Sequence, residues 1–235
     1  GIFFVPTDLK IIPKSFYPIA TTLDEQIKLA KIYNPKKKLV KFNTKINMDT
    51  FLYKLFKKKK INYLDVGGDN IDLYLKINDK LEINKYYIYN FNNIVNIFKI
   101  LKKKFLYKNL NPIYKIEKIN NLDLVYFGSS IQYFRNYKIF LKKIFKIKPK
   151  YIFFSGTTFF EDLIETEKIV VKQTNILPNL VYLYFFNLKK FIKFFDENNY
   201  RIVFYSKNKF AKVNYHNFKE IIKKIKYLDK LFIKK

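Results

Sequence analysis

Hydrophobic and polar positions follow two different periods along this chain, and the switches between them mark out its elements. Ile61, Tyr63, Leu64 and Val66 form a short, mostly apolar run that stops at Gly67-Gly68. Ile71, Leu73, Tyr74 and Leu75 then follow as the apolar positions of a helix, with Asp69 and Asn70 suited to cap it. The alternation continues with a strand at KYYIYN (85–90) and a helix carrying Ile94, Val95, Ile97, Phe98 and Leu101. IYKIEKI (113–119) reads as a short strand, and LDLVYF (122–127) as another that ends at Gly128-Ser129-Ser130. A helix through Tyr137, Phe140, Leu141, Ile144 and Phe145 leads to a fifth strand, YIFFS (151–155). Strands alternating with helices predict an α/β fold with a doubly wound, parallel sheet.

The flanks read differently. Pro6, Pro13 and Pro18 predict an extended arm over residues 1–20, and Thr22-Leu-Asp-Glu25 is a capping box opening a helix with Leu23, Ile27 and Ala30 on one face. A second helix is expected from Asp49 to Lys58, with Phe51, Leu52, Leu55 and Phe56 inward. After the fifth strand, residues 156–167 read as a loop, KIVVKQTN (168–175) as a strand and LVYLYFF (180–186) as an apolar run in a sheet or a lid. Asn187 to Asn199 is an amphipathic helix, YRIVFYS (200–206) a closing strand, and residues 217–233 a final Lys-rich helix. The division predicted is an arm with packed helices over 1–60, an α/β core over 61–210 and a basic helix within 211–235.

Composition sharpens one feature of this pattern. The chain has only 5 Gly in 235 residues, and Gly67, Gly68, Gly128 and Gly156 each follow an apolar run that reads as a strand. Open α/β sheets bind ligands at the carboxyl ends of their strands, where a backbone without a Cβ can approach closely. Charge changes the picture less. The formal net charge is +28, yet Arg occurs only at positions 135 and 201, so the surplus is almost wholly Lys. A surface that reads phosphates would use more of the bidentate Arg fork. The charge therefore reads as a solvated Lys face of an AT-biased coding sequence, and any nucleic-acid binding is expected to be non-specific and salt-sensitive.

With no Cys and one His, neither a thiolate nor a His-based metal centre is expected. No apolar run approaches the ~18 residues of a membrane span. Residues 1–14 lack the pattern of a signal peptide, so a cytoplasmic protein is expected. The sequence carries no reading of oligomeric state.

The segments YLDVGGDN (63–70), LDLVYFGSSIQYF (122–134), KPKYIFFSGTTF (148–159), VVKQTN (170–175) and FNLKKFIKFFDENNYRIVF (186–204) together resemble class I S-adenosylmethionine-dependent methyltransferases. More narrowly, they resemble a methyltransferase family of bacterial surface-polysaccharide gene clusters, with GSSIQYF the most specific stretch. The resemblance implies a Rossmann-like, mostly parallel, seven-stranded sheet with an antiparallel closing strand. It implies S-adenosylmethionine as cofactor and a small-molecule or glycan acceptor.

Asp65, Gly67, Gly68 and Asp69 would form the cofactor loop, although Asp69 and Ile71 stand where the general pattern has its second and third glycines. Asn90 would take the place of the acidic residue that holds the ribose hydroxyls, and Gly128 and Ser129 would border the cofactor's sugar or methionine part.

For the acceptor side, Gln132 and Tyr133 are candidate catalytic groups, with Gly156, Thr157, Thr158 and Gln173 as substrate-binding candidates. Packing competes for Tyr133 in a chain with 20 Tyr, and turn capping competes for the Thr pair. His216 is the one conventional base near neutral pH, with Glu161 and Asp162 as alternatives. Two other classes stay open: an RNA-directed methyltransferase, favoured by charge, and a catalytically degenerate binding domain, favoured by the altered glycines.

Overall fold

The computed structural model describes residues 2–6, 22–32, 52, 54–56, 59–161, 166–173, 181–208, 213–214 and 225–235. They belong to two compact units: Ile19–Tyr126 with Ile147–Lys150, and Gly1–Pro18 with Phe127–Lys146 and Tyr151–Lys235. The fold is α/β and Rossmann-like, with mostly parallel central strands and an antiparallel closing strand. No helix among the described residues is long and apolar enough to cross a membrane.

The unit around Ile19–Tyr126 holds α1 (Leu23–Ile32), β2 (Ile61–Val66), α2 (Ile71–Lys80), β3 (Ile83–Tyr89), α3 (Asn92–Lys104), β4 (Leu110–Ile113) and the start of β5 (Leu124–Gly128). Its strand order is β5-β2-β3-β4, with β2, β3 and β4 parallel. Tyr63 of β2 stacks on Tyr86 of β3 at 4.7 Å, and Tyr74 of α2 meets Tyr86 edge-on at 5.1 Å. Those rings, with Ile94, Val95, Phe98 and Leu101 of α3, make its core.

The capping box forms as the sequence predicts: the Glu25 N–H donates to Thr22 Oγ1 at 3.3 Å, and the Thr22 N–H to Glu25 Oε2 at 2.9 Å. Thr22→Ala should therefore cost about 1 kcal/mol, read as a lower urea midpoint. The inward face of α1 departs from expectation. Its buried residue is Gln26, whose Oε1 accepts the N–H of Ile71 at 2.7 Å, an N–H that has no acceptor within α2 itself. Of the helix expected over 49–58, residues 52 and 54–56 are described and helical, with Leu52 and Phe56 buried.

The other unit holds β1 (Ile2–Pro6), a 3₁₀ turn (Ile131–Tyr133), α4 (Tyr137–Ile147), β6 (Tyr151–Phe160), β7 (Lys168–Gln173), β8 (Val181–Asn187), α5 (Leu188–Asp196), β9 (Tyr200–Lys207), β10 (Val213–Asn214) and β11 (Ile225–Lys234). Its order runs β10-β1-β7-β8-β6, and β11 lies between β6 and β9, antiparallel to both. The core is phenylalanine. Phe232 of β11 stacks on Phe195 of α5 at 4.1 Å, and Phe154 of β6 meets both Phe191 and Phe195 edge-on. Asn187 caps α5 by accepting the Lys190 N–H at 3.1 Å.

Three sequence expectations fail here, each for a reason of pairing. The strand expected at 113–119 is instead β4, which stops at Ile113 because its partner β3 ends at Tyr89. The fifth strand does not end at 155; β6 runs on to Phe160 because Thr157–Phe160 pair with β11, and Phe159–Phe160 also with β8. The Lys-rich helix expected through residue 233 is, over Ile225–Lys234, the strand β11. Flanked on both sides and bulged between Leu228 and Lys230, β11 loses strict alternation, and the three-residue spacing of Ile225, Leu228 and Leu231 imitates a helix. The antiparallel closing strand is accordingly β11 and not the YRIVFYS strand expected to close the sheet, which is its neighbour β9; the described strands number eleven, against the seven expected. Residues 217–224 lie outside the described residues.

Candidate functional site

In the first unit, β2 hands the chain to a turn that is clamped from below and from the side. Gly67 has φ 80°, a conformation that favours glycine, and its N–H donates to Tyr89 O at 2.8 Å. Asp65 folds back beneath the turn and is 2% exposed. A Cβ on Gly68 would lie 2.2 Å from Asp65 Oδ2, so the absence of a side chain there makes room for the protein's own carboxylate. The Tyr86 hydroxyl donates to the same oxygen at 3.2 Å. Burial pushes the Asp65 carboxyl up to about 7; the Tyr86 hydrogen bond opposes the shift and the nearby Asp69 adds to it. Asp69 is itself raised by burial.

Asn90, directly after β3, completes the clamp. Its Nδ2 donates to Gly68 O at 2.8 Å, and its Oδ1 accepts the Phe91 N–H at 2.7 Å. One amide hydrogen of Asn90 is left over. Asn70 caps α2 by accepting the Asp72 N–H at 2.8 Å. The N–H groups of Gly68 and Asn70 have no hydrogen-bond partner among the described residues. The result is a clamped loop at a strand end and a helix start, with backbone donors that have no partner among the described residues. Such a place suits an electron-rich ligand.

In the second unit, a separate polar cluster surrounds Gly156. Ser129 and Gly156 both have positive φ, 51° and 62°. The Gly156 carbonyl accepts from Ser129 Oγ at 3.1 Å and from Gln132 Nε2 at 3.3 Å. Because the single Ser129 hydroxyl proton goes to that carbonyl, the 3.0 Å contact between Ser129 Oγ and the Tyr227 hydroxyl must be donated by Tyr227. Burial raises the Tyr227 pKa, the Ser129 contact opposes the shift and Asp229 adds to it, so Tyr227 is a donor and not a base. Asp229 Oδ1 accepts from Gly156 N, Ser155 Oγ and Asn208 Nδ2 at 2.8, 3.1 and 2.7 Å.

The cluster leaves two polar atoms without hydrogen bonds among the described residues, Gln132 Oε1 and Thr157 Oγ1, and both side chains are buried. Thr158 differs: its hydroxyl donates to Tyr184 O at 3.1 Å and serves the sheet. The Thr pair thus sits inside β6, where the sequence reading had a loop. Tyr133 packs, partly buried, against Phe160, Val171, Leu183, Phe185 and Ile225. Gly128 is exposed at the end of β5, and Gln173 ends β7, its backbone paired with Phe4 and Val181. His216 and Asp162 lie outside the described residues; Glu161 pairs with Lys226.

The structure therefore brings together Asp65, Gly67, Gly68, Asp69 and Asn90 in one unit, and Ser129, Gln132, Gly156 and Thr157 in the other. It adds Gln26, Tyr227 and Asp229. Gln26 follows the capping box and carried no further signal; Tyr227 and Asp229 were hidden by the helical reading of their segment.

No protein-family model matches the chain, and no curated protein sequence does. Solved structures do share its fold. The N-terminal domain of EvdMO1, crystallised in the presence of SAH and D-fucose, aligns with a TM-score of 0.57 at 8% identity, over 90% of this chain and 96% of that one. The Burkholderia thailandensis 1,6-didemethyltoxoflavin-N1-methyltransferase, with its substrate and S-adenosylhomocysteine bound, aligns with 0.54 at 9% identity, over 98% and 94%. The [4+2]-cyclase SpnF aligns with 0.56 at 8% identity, over 80% of each chain. At these identities the likeness is one of fold, a Rossmann-like fold that a methyltransferase and a cyclase share.

Proposed function

We propose that the chain is an S-adenosylmethionine-dependent methyltransferase acting on a hydroxyl of a small molecule or sugar, in surface-polysaccharide biosynthesis. The observation that carries the reading is the clamped glycine turn: Asp65 beneath Gly68, Asn90 bracing it, and N–H groups of Gly68 and Asn70 that have no partner among the described residues. The sugar and pathway rest on the sequence resemblance, in company with a fold neighbour crystallised with D-fucose.

The residues present fit the cofactor by their chemistry. Backbone N–H groups of Gly68 and Asn70 and the remaining amide hydrogen of Asn90 are donors for its hydroxyl and carboxylate oxygens. A carboxyl at Asp65 that is half protonated near pH 7 keeps the floor of the loop from repelling an electron-rich ligand. When bound, the cofactor supplies an activated methyl on a sulfonium, so the protein has mainly to orient the acceptor and take its proton. The acceptor role falls to Gln132, Thr157 and Gly156, with Tyr133, Thr158 and Gln173 as lesser candidates and His216 as the candidate base. Gln132 Oε1, buried and without a donor among the described residues, can accept an O–H, and Thr157 Oγ1 can donate or accept.

Calorimetry with S-adenosylhomocysteine tests the first half, and its failure in the parent protein moves the reading to a binding domain without catalysis. Gln132→Ala tests the second. Losing one hydrogen bond to the acceptor should lower kcat and kcat/KM together by about tenfold, with S-adenosylhomocysteine affinity unchanged. Weaker cofactor binding with normal saturated turnover would instead place Gln132 against the cofactor.

A further inference from the structure

A cluster of cations at the start of α4 is used by neither of the groups above. Arg135 precedes the helix, Lys138 lies in its first turn, and Lys168 begins β7. Among the described residues one carboxylate answers them: Glu167 accepts from the Tyr137 hydroxyl and, at 2.6 Å, from Lys138. Those two contacts satisfy Glu167 and hold its pKa below the usual value, against the opposing effect of its burial. Lys168 has no carboxylate within hydrogen-bonding distance among the described residues. Its Nζ donates to the Arg135 carbonyl at 3.4 Å and sits over the rings of Tyr184, at 4.0 Å, and Tyr137, at 5.4 Å. The Arg135 guanidinium has no hydrogen-bond or ion-pair partner among the described residues.

Among the described residues, three cations against one carboxylate leave a surplus of two positive charges on a part-exposed surface. The first N–H groups of α4, an 11-residue helix, add the positive end of its dipole. Desolvation lowers the Lys168 pKa and Lys138 and Arg135 lower it further, while Glu167 raises it. In a chain with two arginines, one stands here, with the planar fork that matches two oxygens of one phosphorus. A surplus of two charges matches a phosphate ester, which carries about −1.5 to −2 at pH 7.

We infer that Arg135, Lys138 and Lys168, at the N-terminus of α4, form a site for a phosphate or diphosphate group, so that the molecule methylated is a phosphorylated one. The inference rests on the methyltransferase reading for its second half only. The probe is inorganic pyrophosphate, titrated calorimetrically into the whole chain at fixed ionic strength, with acetate as the carboxylate control. Arg135→Gln with Lys168→Gln should weaken pyrophosphate binding at least tenfold. Lys142→Gln with Lys146→Gln, on the exposed side of the same helix, removes the same charge and should change it less than twofold. Equal losses in the two double variants, or acetate binding as tightly as pyrophosphate, would overturn the site.

S-adenosylhomocysteine affinity, measured in parallel, separates the two readings. A parent that binds S-adenosylhomocysteine but not pyrophosphate keeps the function and loses this site. A parent that binds pyrophosphate alone keeps the site and loses the function.

Discussion

Gly68→Val should abolish S-adenosylhomocysteine binding and lower stability even with no ligand present. The new Cβ would lie 2.2 Å from Asp65 Oδ2 and 2.6 Å from its Cγ, far inside van der Waals contact. Asp65 cannot easily move aside, because it is buried and tied to Tyr86. Overpacking of this kind costs roughly 1–3 kcal/mol, and the γ-methyls of valine add to it. Urea denaturation reads the loss directly. Asp65→Ala on the Gly68→Ala background should restore most of the stability, since the collision is with that side chain; a double-mutant cycle measures the coupling. If Gly68→Ala proves as mild as an ordinary surface change, the packing described here is wrong. The collision lies within the protein, so a ligand-free loss of stability separates it from simple blocking of the cofactor.

The second large effect is in pH. The Asp65 carboxyl sits at about 7 in the folded chain against an ordinary value of 3.8, so the native state holds this proton more tightly than the unfolded state. Between those values the unfolded chain is ionised while the native chain is still protonated. Stability from this group is thus greatest below about pH 4 and falls as pH rises towards 7. The full span is roughly 4 kcal/mol, at 1.36 kcal/mol per pH unit. Asp65→Asn keeps an oxygen for the Tyr86 hydroxyl and removes the titration. Urea midpoints from pH 4 to 8 should show the parent losing ground to Asp65→Asn as pH rises. Parallel profiles would mean that Asp65 ionises normally. The difference between the two chains isolates Asp65 from Glu167, whose lowered pKa works in the opposite direction at acid pH.

Much of the Ile19–Tyr126 unit was legible in the sequence because its elements are local. The Thr22 and Glu25 box, the Asn70 cap and the glycine turn each depend on residues within a few positions, and all three form. The other unit was less legible because its elements depend on distant partners. Thr157 and Thr158 belong to β6 only because β11 pairs with them, and no local pattern reports that. The candidate site divides in the same way. Asp65, Gly68 and Asn90 could be picked out from strand ends, but not that the small side chain at Gly68 accommodates Asp65. Gln26 was invisible because its role is to satisfy an N–H 45 residues away. Tyr227 and Asp229 were invisible because a bulged, buried strand imitates a helix.

The position of β11 has a consequence for the order of events during synthesis. Ile225 pairs with Phe160, and Ile233 with Tyr151, so β6 waits for everything between them before that edge is covered. At about 5–20 residues per second the wait lasts seconds, far longer than a hairpin needs to close. During it, an apolar strand containing Phe153, Phe154, Phe159 and Phe160 has an open side. An uncovered strand of that composition is a template for other chains. The nascent protein is therefore most exposed to misassembly after residue 160 and before residue 225, and chaperone engagement should peak in that interval.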